Sequence, residues 1–409
     1  MSIEVRPITR DELPAFLRSN ASSFGWDASD ADMVAETFGR SMQFDRTTSA
    51  WEGSQVVGTA GISSFDDLTV PGGTLPTAGV TWVSVRPTHR RQGVLTSMMR
   101  QQLDQVRERG EPLAALWASE SPIYSRFGYG CAAEGVEFHI DRTRTRLRHR
   151  VASSGRTRFV TRDEALTAWP AVYDRVRLHQ PGWLSRAPSW WEERTLREPE
   201  EQPAGWSKRF MVQYEEGDHV LGYVIYRLNR NDAEGSATTE LRVVELVSET
   251  PAAYSALWEF VFGVDLVATI SGLWRPVDEP LVHMLEDPRR FVRRTQDTLW
   301  VRIMDVPGAL EGRRYRSEGR VVFELSDPFC DWNAGRYMLD ASPGGATCER
   351  TTATADISLS AVELAAVFLG GTRLASLYRA GRVEGDDGAV RRADTLMGWD
   401  PAPWCPEVF

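Results

Sequence analysis

Apolar and polar residues fall along this chain in blocks that predict a succession of strands and helices. Residues 3–6 predict a short extended strand. Thr9-Arg-Asp-Glu12 has the spacing of a capping box, in which the threonine hydroxyl and the glutamate carboxylate satisfy free backbone amides at a helix start. Leu13, Phe16 and Leu17 then form an apolar helix face. A second helix is predicted over 32–38. Residues 49–65 predict a β-hairpin that turns at Glu52-Gly53. Further strands are predicted over 80–85, 113–118 and 136–140, and a helix over 93–109 that Gly110 stops.

Residues 141–156 read as a boundary. Arg142, Arg144, Arg146, Arg148 and Arg150 alternate there and are followed by Ser153-Ser-Gly155. A solvated strand edge or an inter-domain connector explains them better than a basic patch for an acidic partner. Beyond it the pattern repeats. Thr161-Arg-Asp-Glu164 repeats the first capping box, Glu216-Gly217 repeats the hairpin turn, and 241–247 takes the place of 80–85. Three matches in one order predict two copies of one α+β unit. The last third differs. From 299–304 onward, strands are predicted over 321–325 and 336–339. Ser360-x-x-Glu363 then opens a helix whose face is Leu364, Val367 and Phe368. The chain thus divides into 1–150, 151–298 and 299–409.

Composition narrows the function classes. The length of 409 residues suits two to three domains, with 42% apolar and 25% charged residues as in globular chains. A net charge of −10 argues against a general nucleic-acid binder and suits a cationic ligand. The cations are almost all arginine, with Lys208 the one lysine, a bias that fits GC-rich coding. No apolar run reaches the roughly 18 residues of a membrane span, and the start has no signal-type apolar block, so a cytoplasmic protein is expected. Four cysteines and six histidines show no CxxC or HExxH spacing, so neither a metal site nor a disulfide framework is expected.

The chemistry concentrates in Val83-Ser-Val-Arg-Pro-Thr-His-Arg90-Arg-Gln-Gly93-Val-Leu-Thr96. A strand runs into an arginine and glycine loop and then a helix. That order aims backbone N–H groups at one spot, at the positive end of a helix dipole. Gly93 permits close approach, and Arg90 and Arg91 add charge. The loop suits a pyrophosphate; the plainer reading is a solvated basic turn. It resembles motif A of the GNAT acetyltransferase superfamily, Q/R-x-x-G-x-G/A. Arg90 and Gly93 match, while Leu95 stands where a small residue is usual. Leu-Pro-Thr-Ala-Gly at 75–79, Arg-Pro-Thr-His-Arg-Arg at 86–91, Ala118-Ser-Glu120, Ile123-Tyr-Ser-Arg-Phe-Gly-Tyr-Gly130 and Leu299-Trp-Val-Arg-Ile-Met-Asp-Val-Pro307 look like the Eis (enhanced intracellular survival) family. These segments are spread over the whole chain.

The resemblance implies an α+β protein: two tandem GNAT-like domains, the second degenerate, and a C-terminal domain of sterol-carrier-protein type whose tail reaches the active site. It implies a homohexamer that uses acetyl-CoA to acetylate amines of aminoglycosides. By the same resemblance Val83, Ser84 and Val85 pair with the pantetheine arm like an added strand. Arg90, Arg91, Gln92, Gly93, Val94, Leu95 and Thr96 hold the pyrophosphate. Ser119 and Glu120 line the cofactor cleft, Tyr124 is the general acid, and the terminal carboxylate of Phe409 is the base.

These roles can be weighed physically. A neutral tyrosine, with a reference pKa of about 10, can protonate a departing thiolate. Without the resemblance Tyr124 and Tyr129 read as packed aromatics. A terminal carboxylate near 3.5 lies about 5 units below an amine, so direct proton transfer is uphill by roughly 7 kcal/mol. It needs burial, a water relay, or the different role of electrostatic anchor. Trp404, Val408, Phe409 and three prolines predict a docked tail rather than a free one. Trp26, Asp27, Asp30, Asp32, Glu36 and Glu407 suit a cationic multi-amine acceptor, or are an ordinary acidic surface. In the second copy Ser248-Glu-Thr-Pro-Ala-Ala253 replaces the arginine and glycine loop, which predicts one cofactor site per chain. No Cys or Ser sits in a nucleophile motif, so direct transfer is expected. Two rival readings are an N-acetyltransferase for protein lysine or another amine, and a non-catalytic lipid or small-molecule binder.

Overall fold

The computed structural model describes residues 3–27, 42–148, 150–198, 205–229 and 239–409. The helix expected over 32–38 lies outside them, as do Asp30, Asp32 and Glu36. Contacts divide the chain into two units. One spans 1–132, 299–400 and 408–409; the other spans 133–298 and 401–407.

The first unit holds a seven-stranded sheet. Its strands are β1 (Ile3–Pro7), β2 (Thr47–Glu52), β3 (Gln55–Val70), β4 (Gly73–Val85), β5 (Leu113–Trp117), β6 (Gly130–Cys131) and, late in the chain, β14 (Leu299–Ile303). They lie in the order β1-β2-β3-β4-β5-β14-β6. β5 is a continuous apolar run, as a central strand covered on both faces requires. The helix Val94–Glu108 buries Val94, Met98, Met99, Leu103 and Val106, a single face at three- and four-residue spacing. Cutting Leu103 back to alanine would cost about 2–5 kcal/mol.

This unit also carries a second, five-stranded sheet. β15 (Gly319–Ser326), β16 (Gly335–Ser342), β17 (Gly345–Arg350), β18 (Ile357–Ser360) and β19 (Glu384–Gly385) lie in the order β17-β16-β15-β18-β19. The Ser360–Glu363 capping box opens the helix Ala361–Phe368, as the spacing predicts. Arg302 of β14 meets Asp327 at 2.6 Å, both fully buried, joining the two sheets of the unit.

The second unit repeats the first sheet. β7 (Glu134–Asp141), β8 (Arg156–Phe159), β9 (Phe210–Glu216), β10 (His219–Asn229), β11 (Thr239–Ser248), β12 (Val267–Arg275) and β13 (Val292–Asp297) lie in the order β13-β7-β12-β11-β10-β9-β8. Thr161 and Glu164 cap the helix Arg162–Arg177, as predicted. Read from β8, the order matches that of the first sheet, with β7 where the first sheet has β14. Residues 136–140, read above with the first domain, therefore pair in the second sheet. Residues 299–303, read as opening the third domain, pair in the first. Periodicity announces a strand but does not name its partner. The arginines of 141–156 lie in the second unit: Arg142 pairs with Asp265, Arg146 with Glu286 and Arg150 with Glu259, all at the surface. No helix among the described residues is long and apolar enough to cross a membrane.

Candidate active site

In the first unit β4 and β5 run parallel but pair only at Thr77↔Leu113, Ala78↔Ala114 and Gly79↔Ala115. Beyond Gly79 they part. β4 stays bonded to β3 as far as Gly58↔Val85, while β5 takes β14 on its other side. The edge of β4 from Val80 to Val85 is thus left without a strand partner on the β5 side. A free edge of this kind accepts an extended chain carrying amide groups. Val83, Ser84 and Val85 lie on it, where the family resemblance puts the pantetheine arm.

β4 leads directly into the arginine and glycine loop. Arg91 has φ +63° and Gly93 has φ +82°, a left-handed pair that turns the chain into the helix Val94–Glu108. No side chain caps that helix, so its first N–H groups are free. Arg90, Arg91, Gln92, Gly93 and Thr96 are exposed. The space where a Gly93 side chain would stand is open. Val94 is buried, and Leu95 packs against the Val57 and Met98 cluster rather than over the loop. Free amides, two cations and open space fit a pyrophosphate.

Tyr124 closes a helical turn, Ser121–Tyr124, shortly after β5. It packs with Ala78 and Val80 of β4 and with Ala114 and Leu116 of β5, the residues flanking the point where the strands part. Its hydroxyl shares a hydrogen bond with Ser119. Burial, reinforced by the charge of Glu120 and offset in part by that bond, pushes the phenol up to about 12. It is a neutral proton donor throughout the physiological range. Tyr129, edge-on to it at 6.1 Å, is wholly buried and its hydroxyl has no hydrogen-bond partner.

The chain terminus is docked. The Phe409 ring lies edge-on to Phe65 at 5.1 Å between centroids. Phe65 in turn covers Gly79, where an added Cβ would stand 2.3 Å from its ring. The terminal residue is therefore one aromatic ring away from the parting of β4 and β5. Of the residues expected to meet an acceptor, Trp26 is half-buried and its indole N–H donates to Asn20 Oδ1 at 3.3 Å; Asp27 is exposed.

Glu407 requires a correction. The sequence suggests it as a carboxylate for the cationic acceptor. In the structure it is buried in the second unit, ion-paired with Arg186, and accepts hydrogen bonds from Trp190 Nε1 at 2.9 Å and the Tyr173 hydroxyl at 3.4 Å. Burial pushes its carboxyl above the usual range. Its oxygens are committed within the fold and are not offered to a ligand.

The second unit repeats the strand geometry with different contents. β11 and β12 pair in parallel from Thr239↔Val267 to Val243↔Gly272 and then part. Past that point Glu245 binds Arg186 through both oxygens and accepts from the Tyr223 hydroxyl at 2.6 Å. Arg186 lies over the Tyr173 ring at 3.9 Å. At the loop that follows, Thr250 caps its own helix by accepting from Ala253 N at 3.1 Å, with Pro251 at the first helical position. Of the helix-start donors left free in the first unit, one is absent here at Pro251 and one is taken by Thr250.

Sequence reasoning missed several residues of these sites. Asn20, Thr59 and Phe65 sit in ordinary amphipathic patterns, and nothing local marks them. Arg186 stands alone in an aromatic stretch, Trp183-Leu-Ser-Arg-Ala-Pro-Ser-Trp-Trp191, which was a usable signal for a buried cation.

Comparison with known proteins agrees with the geometry. Models of the acetyltransferase (GNAT) domain match residues 4–132 and 182–303, and a sterol carrier protein domain matches 306–406. An uncharacterized N-acetyltransferase of Streptomyces coelicolor is 42% identical over the full length of both chains. N-acetyltransferase Eis of Mycobacterium tuberculosis is 38% identical over 86% of this chain and 85% of its own. Among solved structures, Eis1 from Mycobacterium abscessus superposes with a TM-score of 0.85 at 31% identity, covering 99% of this chain and 100% of that one. A GCN5-related N-acetyltransferase from Anabaena variabilis has the same fold, with a TM-score of 0.87 at 18% identity over the whole of both chains.

Proposed function

Because the chain belongs to the Eis family of GNAT N-acetyltransferases, we propose that it transfers the acetyl group of acetyl-CoA directly to an amine of a cationic multi-amine small molecule such as an aminoglycoside. The observation that carries this reading is the free edge of β4, running into an uncapped helix start, with a neutral buried tyrosine beside the point where the strands part.

Acetyl-CoA supplies an acetyl group activated as a thioester. Val83, Ser84 and Val85 hold its arm through the backbone, and Arg90 to Thr96 hold its pyrophosphate. The new N–C bond forms as the C–S bond breaks. Tyr124 gives its phenolic proton to the departing sulfur. The Phe409 carboxylate draws the cationic amine in. Because taking a proton from that cation is uphill by about 5 pKa units, it is the neutral fraction of the amine that attacks, and the carboxylate takes the proton, through a water, once the new N–C bond has made the nitrogen acidic. The exposed Asp27 and the Trp26 ring suit the remaining charge of the acceptor. A cytoplasmic homohexamer belongs to the same proposal, and sedimentation of the full chain tests its size.

The test is release of thiol from acetyl-CoA with a panel of amines: several aminoglycosides, a lysine peptide and a simple diamine. Fast release with aminoglycosides is expected. It should be lost when the chain is extended by a few residues beyond Phe409, because the carboxylate then leaves its place. Release with the lysine peptide alone would overturn the acceptor class, and activity indifferent to the extension would overturn the role of the terminus.

A further inference from the structure

β4 does not run smoothly past the point where β5 leaves it. Thr81 pairs with Gly61 and Ser84 pairs with Thr59, so β4 takes three steps where β3 takes two. The extra residue makes a β-bulge, and Trp82 within it has φ +56°. A residue with a Cβ in that region carries about 1–3 kcal/mol of strain and keeps the conformation only when its surroundings impose it.

A buried polar cluster imposes it here. The Trp82 carbonyl accepts from Thr59 Oγ1 at 2.7 Å and from Asn20 Nδ2 at 3.3 Å. Thr59 Oγ1 also accepts from Asn20 Nδ2 at 3.2 Å and lies 2.7 Å from Ser84 Oγ. With Thr59 donating to the carbonyl and Ser84 donating to Thr59, the hydrogen and both lone pairs of the Thr59 hydroxyl are used. Asn20 Oδ1 accepts from the Trp26 indole. Opposite the bulge, Gln102 Nε2 donates to the Gly61 carbonyl at 3.1 Å. Asn20, Thr59 and Gln102 are each at most 2% exposed. Buried polar groups are unfavourable unless paired; the side-chain polar atoms of Asn20 and Thr59 are all paired, which fixes one arrangement of the chain, while Gln102 Oε1 has no partner.

We propose that Asn20 and Thr59 are positioning residues for acetyl transfer. They lock the bulge at Trp82 and so aim the free backbone groups of 83–85 along the bound cofactor. Through Trp26 the same lock ties the acceptor side of the site to the cofactor strand. The inference rests on the reading that acetyl-CoA lies along β4.

Thr59→Val removes the hydroxyl at nearly constant volume, and Thr59→Ser keeps it. The valine variant should lose between about ten- and a hundredfold in kcat, the scale that a misplacement of about 1 Å costs, and should raise the KM for acetyl-CoA. The serine variant should stay close to the unaltered chain, and Asn20→Ala should follow the valine variant. Trp82→Gly added to Thr59→Val removes the need for the lock, because glycine adopts positive φ freely, and should restore acetyl-CoA affinity measured by calorimetry. Melting curves accompany each variant. A lower melting temperature with kcat and KM unchanged would overturn the proposal and leave a purely structural cluster. Acetyl-CoA binding unaffected by Thr59→Val would overturn the lock alone. No binding by the unaltered chain would overturn the cofactor reading and the lock together.

Discussion

The two GNAT units build the same notch from parallel strands and then treat it in opposite ways. In the first unit the notch is left open. β4 keeps a bare edge, the next helix has no cap, and the charged side chains of the loop stand in solvent. In the second unit the notch is filled. Arg275 of β12 donates to the Leu246 carbonyl of β11 at 2.9 Å, Glu245 past the parting joins Arg186 and Glu407 in a buried charge cluster among tyrosine and tryptophan, and Thr250 caps the helix start. A duplicated scaffold therefore separates two things that are usually mixed: the strand geometry belongs to the fold, and the free donors belong to the chemistry.

That contrast can be broken at several points. The largest expected effect is on turnover. If Tyr124 is the acid proposed above, Tyr124→Phe should lower kcat by about 10²- to 10⁴-fold while the KM for acetyl-CoA barely moves, because that role contributes the proton transfer alone. The pH profile sharpens the point. Burial raises the phenol to about 12, so Tyr124 stays protonated as pH climbs past 10, and kcat should show no alkaline decline from it below that pH. A decline near pH 9 in the unaltered enzyme that disappears in Tyr124→Phe would refute this.

Next in size is the filled notch. Arg186→Met leaves two buried carboxylates without their cation and should destabilise the second unit by about 3–5 kcal/mol, seen as a lower denaturant midpoint. Replacement by the neutral arginine isostere citrulline without this loss would show that aromatic packing, not charge, holds the cluster. A smaller change is expected at the open loop. Gly93→Ala places a methyl in the space the pyrophosphate needs, at a φ that alanine resists, and should raise the KM for acetyl-CoA about tenfold at a stability cost of about 1 kcal/mol. Smallest of all, Thr250→Ala should lower stability by about 1 kcal/mol through the lost cap and leave acetyl-CoA titration unchanged. A changed cofactor stoichiometry in that variant would mean the second notch is not closed.

Much of this contrast is readable in the residues, because its signals are local. The capping boxes at Thr161 and Ser360, the helix after Gly93 and the replacement of the arginine and glycine loop by Ser248-Glu-Thr-Pro all involve neighbours in sequence. The tail reads as docked for the same reason, since Trp404, Val408 and Phe409 are apolar. Partnerships over long separations are not readable. Glu407 looks like a free surface acid until Arg186, far away in the chain, is seen to hold it. Thr59 and Asn20 look like ordinary polar residues until the bulge at Trp82 shows what they hold. The bulge itself has no glycine to announce it, because a side-chain network supplies what a glycine would have supplied.

The trading of β7 and β14 between the two sheets has a consequence for the order of synthesis. The slot between β5 and β6 is filled only by Leu299–Ile303, so the first sheet cannot be completed when its own first six strands leave the ribosome. At about 5–20 residues per second, the wait for the missing strand is on the order of ten seconds or more. During that time β5 exposes an unpaired apolar edge of the kind that recruits other chains. A chain truncated before Leu299 should therefore aggregate rather than yield a small acetyltransferase, which the soluble fraction of that truncation measures.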